Sequence, residues 1–241
     1  MKNIVTLISV LIFWSSSFGQ SGIATADLLE ARKEQVHQNH KDAFVAHILT
    51  GRYYSLKYEG AKNSQFFRSK NLVKGTMVYD GVVFNDVEIQ YDLYIQKIVA
   101  MLDTKNYIRH VTIDGERVSE FSIVGCDFRR IKDDTVMQEG FYQVAFEGDN
   151  AHLFIKRNME KKESIENNRI RQEFLPVDRY YIKNAFGTFP VQKKKSVLEA
   201  YNHAKEVMAT IKKNKLKFSK KKREKSLIEL VSLLDPKFPI N

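Results

Sequence analysis

Short alternations of apolar and polar side chains fill the middle of the chain, and they most constrain what it can fold into. Residues 87–94 (VEIQYDLY) alternate as a strand with one buried face does. Residues 107–113 (YIRHVTI) alternate in the same way and end at Asp114-Gly115. Such segments recur at intervals of roughly ten residues between residues 44 and 192. The pattern predicts antiparallel strands and excludes a fold of alternating strands and helices.

One dipeptide marks the clearest turn in this region. Asp80-Gly81 lies between the apolar segments 76–79 and 82–84 and predicts a two-residue hairpin, because both turn positions need a positive φ. Further strands are expected at residues 53–58, 97–102, 121–131, 141–146, 152–156 and 179–182. The charged stretch over residues 158–173 has few apolar residues and predicts an exposed loop. The expected fold is α+β, an antiparallel β-meander forming a barrel or a sandwich over residues 44–192.

The N-terminus has the three parts of a secretory signal peptide. Lys2 is followed by an apolar run over residues 4–14 and by the small-residue site Ser17-Phe18-Gly19. The run is about half of the ~20 residues that a transmembrane helix needs. We therefore predict export after cleavage of residues 1–19 near Gly19/Gln20, to the periplasm or the cell surface. No transmembrane span is expected in the mature chain, because no later stretch is long and apolar enough.

Helical patterns flank the strands on both sides. Residues 20–43 predict a short helical arm, with Asp27 and Glu30 at the spacing of a helix-capping box. Residues 193–241 predict a basic region of two helices. The first begins at Ser196 and runs to Lys213 with apolar residues at three- and four-residue spacing, and the second runs from Ser219 to Leu234.

The positive charge is concentrated in the C-terminal region. The chain has 39 Lys and Arg against 29 Asp and Glu, a net charge of +10, and residues 193–225 alone contain 13 basic against 3 acidic residues. This concentration predicts attraction to an anionic lipid, a glycan or an acidic envelope protein, while the alternative is a merely solvated face. Nucleic acid is not an expected partner, because the lysines lack interleaved aromatic residues for base stacking. The candidate contacts are Lys212, Lys213, Lys220, Lys221, Lys222 and Arg223.

No catalytic motif is present, and no cofactor or metal is expected. The sequence lacks a Gly-x-Ser-x-Gly elbow, a His-Glu-x-x-His motif and a phosphate-binding glycine loop. His37, His40 and His47 form a local cluster, for which solvated histidines are the expectation. The single Cys126 excludes an intrachain disulfide and is either a buried small residue or a reactive thiol. Asp92 points either to solvent or into the mouth of a barrel.

Several short aromatic motifs occur in a fixed order along residues 50–234. They are Gly51-Arg52-Tyr53-Tyr54, Gly75 with Tyr79-Asp80-Gly81, Tyr91-Asp92-Leu93-Tyr94, residues 139–144 (EGFYQV), residues 153–157 (LFIKR), Phe174, residues 180–184 (YYIKN), Lys195-Ser196-x-Leu198 and residues 214–218 (NKLKF). In this order the chain resembles a group of uncharacterised secreted proteins of Bacteroidota envelopes, with a β-rich body and a basic C-terminal helical region. The resemblance implies export and a β-rich fold, and it carries over no activity and no site residue.

These patterns together favour an exported, non-enzymatic envelope protein that acts as a binding or accessory module. The main alternative is a carrier that holds a lipid or another apolar ligand in a β-barrel or half-barrel. A third hypothesis is a hydrolase whose site is assembled from scattered residues. A filled core with a basic patch would favour the binding module, and a large apolar cavity would favour the carrier.

Overall fold

A computed structural model of the chain describes residues 52–55, 58, 60–104 and 107–238, together with Arg32. The predicted signal peptide over residues 1–19 lies outside the described residues. So does the predicted arm over residues 20–43, of which only Arg32 is described, and so do the three clustered histidines. The described residues from Arg52 onward belong to one compact unit.

Most of this unit is antiparallel β-structure. The described strands are β1 (Arg52–Tyr53), β2 (Val73–Tyr79), β3 (Val82–Asp92), β4 (Lys97–Thr104), β5 (Tyr107–Thr112), β6 (Val118–Ile123), β7 (Cys126–Ile131), β8 (Gly140–Glu147), β9 (Ala151–Lys156), β10 (Met159–Glu166), β11 (Arg169–Pro176), β12 (Arg179–Asn184) and β13 (Gly187–Val191). The helices are α1 (Lys194–Glu199), α2 (Lys205–Lys213), α3 (Arg223–Leu234) and a 3₁₀ turn (Asp235–Lys237).

Eleven of the strands form one sheet, in the order β1-β5-β4-β3-β2-β6-β7-β8-β9-β12-β13. The sheet is open, with β1 and β13 at its two edges, so of the two predicted arrangements, a barrel or a sandwich, the barrel is wrong. The last strands, β9, β12 and β13, are covered by helices instead of meeting the first strands. The β-rich class and the helical C-terminus are confirmed.

Two of the two-residue turns in the sheet were not equally predictable from the sequence. Asp80-Gly81 joins β2 to β3 with φ values of 50° and 78°, so the predicted two-residue hairpin is confirmed. Val124-Gly125 joins β6 to β7 with φ values of 50° and 65°. The single strand predicted over residues 121–131 is therefore wrong, since a β-branched residue is unfavourable at positive φ and gave no indication of a turn.

The charged stretch over residues 158–173 is also not a loop. It forms most of a separate hairpin, β10 and β11, which turns at Asn167-Asn168 with both φ values positive. At its base, the ring of Phe174 is fully buried and packs edge-on against Tyr58 and Tyr94, with ring centroids 5.4 Å apart in both pairs. The loop prediction failed because most strand residues beyond this base face solvent and carry no apolar alternation.

The large sheet curls until its own side chains meet across the concave face. Tyr91 on β3 and Phe141 on β8 are four strand positions apart, and a flat sheet would separate them by roughly 19 Å. Their ring centroids are 6.1 Å apart, and both rings also contact Phe121 on β6. Phe121 stacks in turn on Phe128 of β7 at 4.7 Å. We call this cluster the aromatic core, and its rings fill the concave face of β2–β8.

The other end of the sheet is covered by the helices. Alternate residues of β9 and β12, among them Leu153 and Ile182, face the helices and form with them a second cluster, the helical core. The apolar residues of α2 and α3 that enter this core are fully or almost fully buried, and they are Val207, Ile211, Leu227, Leu230, Val231 and Leu234. In the part of the chain that the structure describes, no helix is long and apolar enough to cross a membrane.

The helix boundaries differ from the predicted ones. The helix expected from Ser196 to Lys213 is interrupted between α1 and α2, where Asn202 and His203 have positive φ and the amide of His203 donates to the carbonyl of Leu198 at 2.8 Å. Helices commonly end at residues in this left-handed conformation. The apolar residues on both sides of the interruption still face the helical core. The helix expected from Ser219 begins at Arg223, because the preceding residues form a turn whose amides donate to the Ser219 carbonyl.

Candidate functional site

One end of the curled sheet carries a cleft of about 470 Å³. Its walls come from the turn between β3 and β4, the loop between β5 and β6, the loop between β7 and β8, the end of β9 and the start of β12. By strand register, the loop between β7 and β8, the end of β9 and the start of β12 lie at one end of the ladder, whereas the turn between β3 and β4 lies at the other. They meet at the cleft because the sheet curls. The cleft combines residues that are far apart in the sequence, and none of them was among the predicted site residues.

The charged side chains that line the cleft are predominantly cationic. Two carboxylates, Glu116 and Glu139, stand against four cations. Glu139 is already paired, since its Oε1 accepts a hydrogen bond from Arg130 Nη2 at 2.6 Å. This pair lowers the pKa of Glu139. The four cations are Lys97, Arg130, Lys156 and Arg179.

Lys156, the last residue of β9, is the most enclosed ammonium of the cleft. It is half-buried, and its Nζ lies 4.8 Å from the centre of the Tyr142 ring. Its one hydrogen bond among the described residues runs to the carbonyl of Phe141 at 3.3 Å. Burial, together with the positive charge of Arg130, lowers the pKa of Lys156 to about 8. An ammonium can donate three hydrogen bonds, so most of this one's capacity is unused by the described residues.

The strand register places a second cation directly opposite Lys156. In the antiparallel pair of β9 and β12, Lys156 is the partner of Arg179. The side chains of β9 that precede Lys156 alternate between the two faces, with Leu153 and Ile155 in the helical core. Like charges at directly opposed positions destabilise a sheet. The register thus places two cationic residues at opposed positions beside the cleft.

The predicted site residues lie elsewhere, in the segment from the end of α2 to the start of α3. We call residues 212–225 the basic segment. Lys212, Lys213 and residues 220–222 (KKK) are all exposed, as predicted contacts should be. Arg223 differs, because it is half-buried with its guanidinium 5.8 Å from the centre of the Tyr180 ring. The remaining exposed lysines of the segment are Lys215, Lys217 and Lys225.

The backbone of the basic segment is held against the helical core. Leu216 and Phe218 pack on the core, while Lys215 and Lys217 between and beside them face solvent. The amide of Lys217 donates to Ser226 Oγ of α3 at 3.1 Å. Among the residues that the structure describes, none of the eight exposed lysines forms an ion pair with a carboxylate. The segment therefore displays its charge from a folded, anchored chain.

A buried ion-pair network fastens α3 to the sheet next to the cleft. Arg157 follows Lys156 and is almost fully buried, and its guanidinium donates to Asp178 at 2.6 Å and to both carboxylate oxygens of Glu224 at 2.7 and 2.8 Å. Its Nε donates to Gln143 at 2.8 Å. Burial alone would raise the pKa of Glu224, but the hydrogen bonds and charge of Arg157 outweigh it and lower that pKa. The network thus holds the start of α3, where the basic segment ends, beside the end of β9, whose last residue Lys156 lines the cleft.

Asp92 points neither to solvent nor into a barrel mouth. Its carboxylate is buried, and Oδ2 accepts a hydrogen bond from the hydroxyl of Tyr54 at 2.5 Å. Oδ1 accepts the amides of Tyr94 and Ile95, so Asp92 closes the turn after β3. Burial raises the pKa of Asp92, although the three hydrogen bonds act to lower it. Of the described residues in the strand predicted over residues 53–58, which are 53–55 and 58, only Tyr53 lies in β1.

Cys126 is buried in the aromatic core, so the expectation of a buried small residue is confirmed. Its sulfur accepts hydrogen bonds from Arg68 at 3.0 Å and from Gln143 at 3.5 Å. Within the described ranges, no group of His, Cys, Asp and Glu side chains is arranged to hold a metal ion. The remaining candidates for a function are the cleft and the basic segment.

Comparison of the chain with models of protein families, with curated proteins and with solved structures found no match. The resemblance to Bacteroidota envelope proteins accordingly stays a prediction. A function for this protein has to be inferred from the charge and geometry of the basic segment and of the cleft.

Proposed function

We propose that this protein is an exported, non-enzymatic module of the cell envelope that attaches to an anionic surface through its basic segment. The observation that carries this proposal is the set of eight exposed lysines on one anchored stretch of chain, without a carboxylate partner among the described residues. Export rests on the apolar N-terminal run and its cleavage site.

The charge of the segment is suited to a surface of many weak anionic groups. Each lysine near an anionic membrane contributes about 1 kcal/mol, and several together give useful affinity. Exposed charges are screened over about 8–10 Å at moderate ionic strength, so the attachment should weaken steeply with salt. The folded backbone between α2 and α3 keeps the lysines close together. Binding therefore costs less conformational entropy than it would for a disordered tail.

The alternative, a carrier for a lipid or another apolar ligand, receives less support from the packing of the sheet. A carrier needs a concave apolar space. Here the rings of Tyr91, Phe121, Phe128 and Phe141 contact one another across the concave face. The cleft at the end of the sheet is lined mainly by polar and charged residues, which suit an anion better than an acyl chain.

Two runs of three lysines allow a matched test. Residues 193–195 (KKK) precede or begin α1, and residues 220–222 (KKK) precede α3; all six are exposed. Reversing either run to Glu changes the net charge by the same amount. We expect wild-type protein to sediment with phosphatidylglycerol vesicles at low salt, and reversal of residues 220–222 to weaken binding about tenfold or more. Reversal of residues 193–195 should weaken it much less, because that run lies outside the basic segment.

The same three proteins should be applied to an acidic polysaccharide, which separates a glycan surface from a lipid one. Arg223 is left unchanged in both variants because it packs on Tyr180. Equal losses in the two triple variants would mean that only the overall charge matters, and would contradict a role for the basic segment. Absence of binding to both surfaces at low salt would contradict the proposal and mean that these lysines are only solvent-exposed.

A further inference from the structure

We propose that the cleft at the end of the sheet binds a doubly charged oxyanion of the phosphomonoester class through Lys156, Arg130 and Arg179. This site goes beyond the proposed attachment to a surface, because it is an enclosed site made by sheet residues and not by the basic segment. Its ligand would be a small molecule that carries one terminal phosphate group.

The first argument is the opposed pair of cations. Lys156 and Arg179 occupy partner positions on β9 and β12, both line the cleft, and the Lys156 ammonium lies over the Tyr142 ring. Without a ligand their repulsion is a cost to the sheet. An anion between them would convert this cost into two charge-assisted hydrogen bonds, which are among the strongest polar contacts in proteins.

The second argument is the count of charges. Of the four cations and two carboxylates in the cleft, Glu139 is paired with Arg130, and an excess of two positive charges is left. A dianion neutralises this excess, whereas a carboxylate would neutralise half of it. The Glu139 side chain is 57% exposed, so it can give way when a ligand approaches the Arg130 guanidinium.

The third argument is the space provided around the Lys156 ammonium. A side chain on Gly140 would press its Cβ into Lys156 Nζ, so only a glycine leaves the ammonium where it stands. Gly140 also has a φ of 140°, a conformation that other residues rarely adopt. The cleft volume of about 470 Å³ is in the range of small-molecule sites and exceeds what a phosphate group alone would need.

The site should depend on pH through Lys156. The charged groups around this ammonium are Arg130 on β7, Arg179 on β12 and Glu139 in the loop before β8, and Lys97 and Glu116 line the same cleft. The pKa of Lys156 is lowered to about 8 in the free protein, and a bound dianion would raise it again. Affinity should therefore fall as the pH rises through 8, although the phosphate of an ester, with a second pKa of about 6, keeps its charge.

The test is calorimetric titration with glycerol 3-phosphate, inorganic phosphate and acetate. Lys156→Met removes the ammonium but keeps an unbranched side chain over the Tyr142 ring, and Lys162→Met, on an exposed position of β10, is the matched control. We expect both phosphates to bind at least about tenfold more tightly than acetate, and Lys156→Met to weaken them about tenfold or more. Lys162→Met should bind like the wild type. Between pH 7.5 and 9.5 the wild-type affinity for the ester should fall about tenfold, and that of Lys156→Met should stay nearly constant.

Tighter binding of the ester than of inorganic phosphate would assign the rest of the cleft to an organic group, and equal binding would assign the site to free phosphate. Arg179→Gln, at an exposed position, provides a second variant that preserves the fold if Lys156→Met does not. Failure of all three anions to bind at millimolar concentration, or unchanged phosphate affinity in both Lys156→Met and Arg179→Gln, would overturn the proposal. Either result leaves the vesicle experiment unaffected, because its variants lie in other residues.

Discussion

The two halves of the large sheet bury their concave faces in different ways. Strands β2–β8 curl until rings from β3, β6, β7 and β8 pack on one another, and the aromatic core needs no second layer. Strands β9, β12 and β13 meet no such partner, and α1–α3 supply the missing layer. One continuous sheet can thus close part of its face by curvature and part by added helices.

The difference extends to polar contacts. The hairpins of the aromatic half close with local turns such as Asp80-Gly81. In the helical half, the carboxylate of Asp235, after α3, accepts the amides of Asp149, Asn150 and Ala151 in the turn between β8 and β9. Arg157 likewise ties the sheet to Glu224 at the start of α3. Helices that arrive from a distant part of the sequence are thus positioned by charged and polar groups, whereas the curled strands are positioned by their neighbours.

The largest effect is expected in the aromatic core. Phe121→Ala removes a ring that touches Tyr91, Phe128 and Phe141, and should lower the free energy of unfolding by about 3–5 kcal/mol. Because β8 contributes Phe141 to the aromatic core and packs against the helical core, both halves should unfold in one transition in denaturant. Amide exchange that shows the helical half keeping its protection while the aromatic half loses it would make the two halves independent units.

A smaller and more local effect is expected at the junction between α3 and the sheet. Glu224→Gln removes the charge that holds two donors of Arg157, although Asp178 still accepts from the same guanidinium. Hydrogen bonds between charged groups contribute about 1.5–3 kcal/mol, so a loss in this range is expected at pH 7. Amide exchange should speed up in α3 before it does in β6 and β7. Glu229→Gln, on the same helix and without a described ion pair, is the control.

The effect of Glu224→Gln should also depend on pH. The pKa of Glu224 is lowered in the folded protein, so the carboxylate stabilises the fold above its unfolded pKa of about 4.3 and loses this contribution as the pH falls through the folded value. The stability difference between wild type and variant should therefore be full at neutral pH and shrink below about pH 4. A difference that stays constant down to pH 3 would show that the charge of Glu224 does not hold the helix.

The smallest effect is expected at a turn of the aromatic half. Gly81→Val places a β-branched residue at a φ of 78° in open solvent, and should cost about 1 kcal/mol or more. Gly60→Val is the control, because Gly60 is exposed, has no positive φ, and has open space where a Cβ would stand. Equal melting temperatures for the two variants would mean that local turn geometry contributes little to the stability of this half.

Much of the strand layout could be predicted because its causes are local. Alternation revealed β3 and β5, and Asp80-Gly81 revealed the turn between β2 and β3, since positive φ favours these residues. The hairpin β10–β11 was not predicted, because its outer strand residues face solvent and follow no apolar pattern. The interruption after α1 was not predicted, because Tyr201 and Val207 on either side of it are both buried and so preserve the apolar spacing of one continuous helix.

The candidate sites divide in the same way. The exposure of the lysines in the basic segment follows from their positions between core-facing apolar residues, which can be read along the chain. The partial burial of Arg223 could not be predicted, since its contact with Tyr180 joins residues 43 positions apart. The cleft escaped prediction altogether, because Lys97, Arg130, Lys156 and Arg179 come from four different strands.

What the sequence by itself determined is therefore the periodic part of the molecule: the antiparallel strands, the apolar faces of the helices and the concentration of charge near the C-terminus. These depend on side chains a few positions apart, which local geometry brings to one face. Only the tertiary structure decided that the sheet curls on its own rings, that Arg157 meets Glu224, and that Lys156 faces Arg179. Such contacts depend on which strands become neighbours, and that order is set by the burial of the whole core rather than by any single segment.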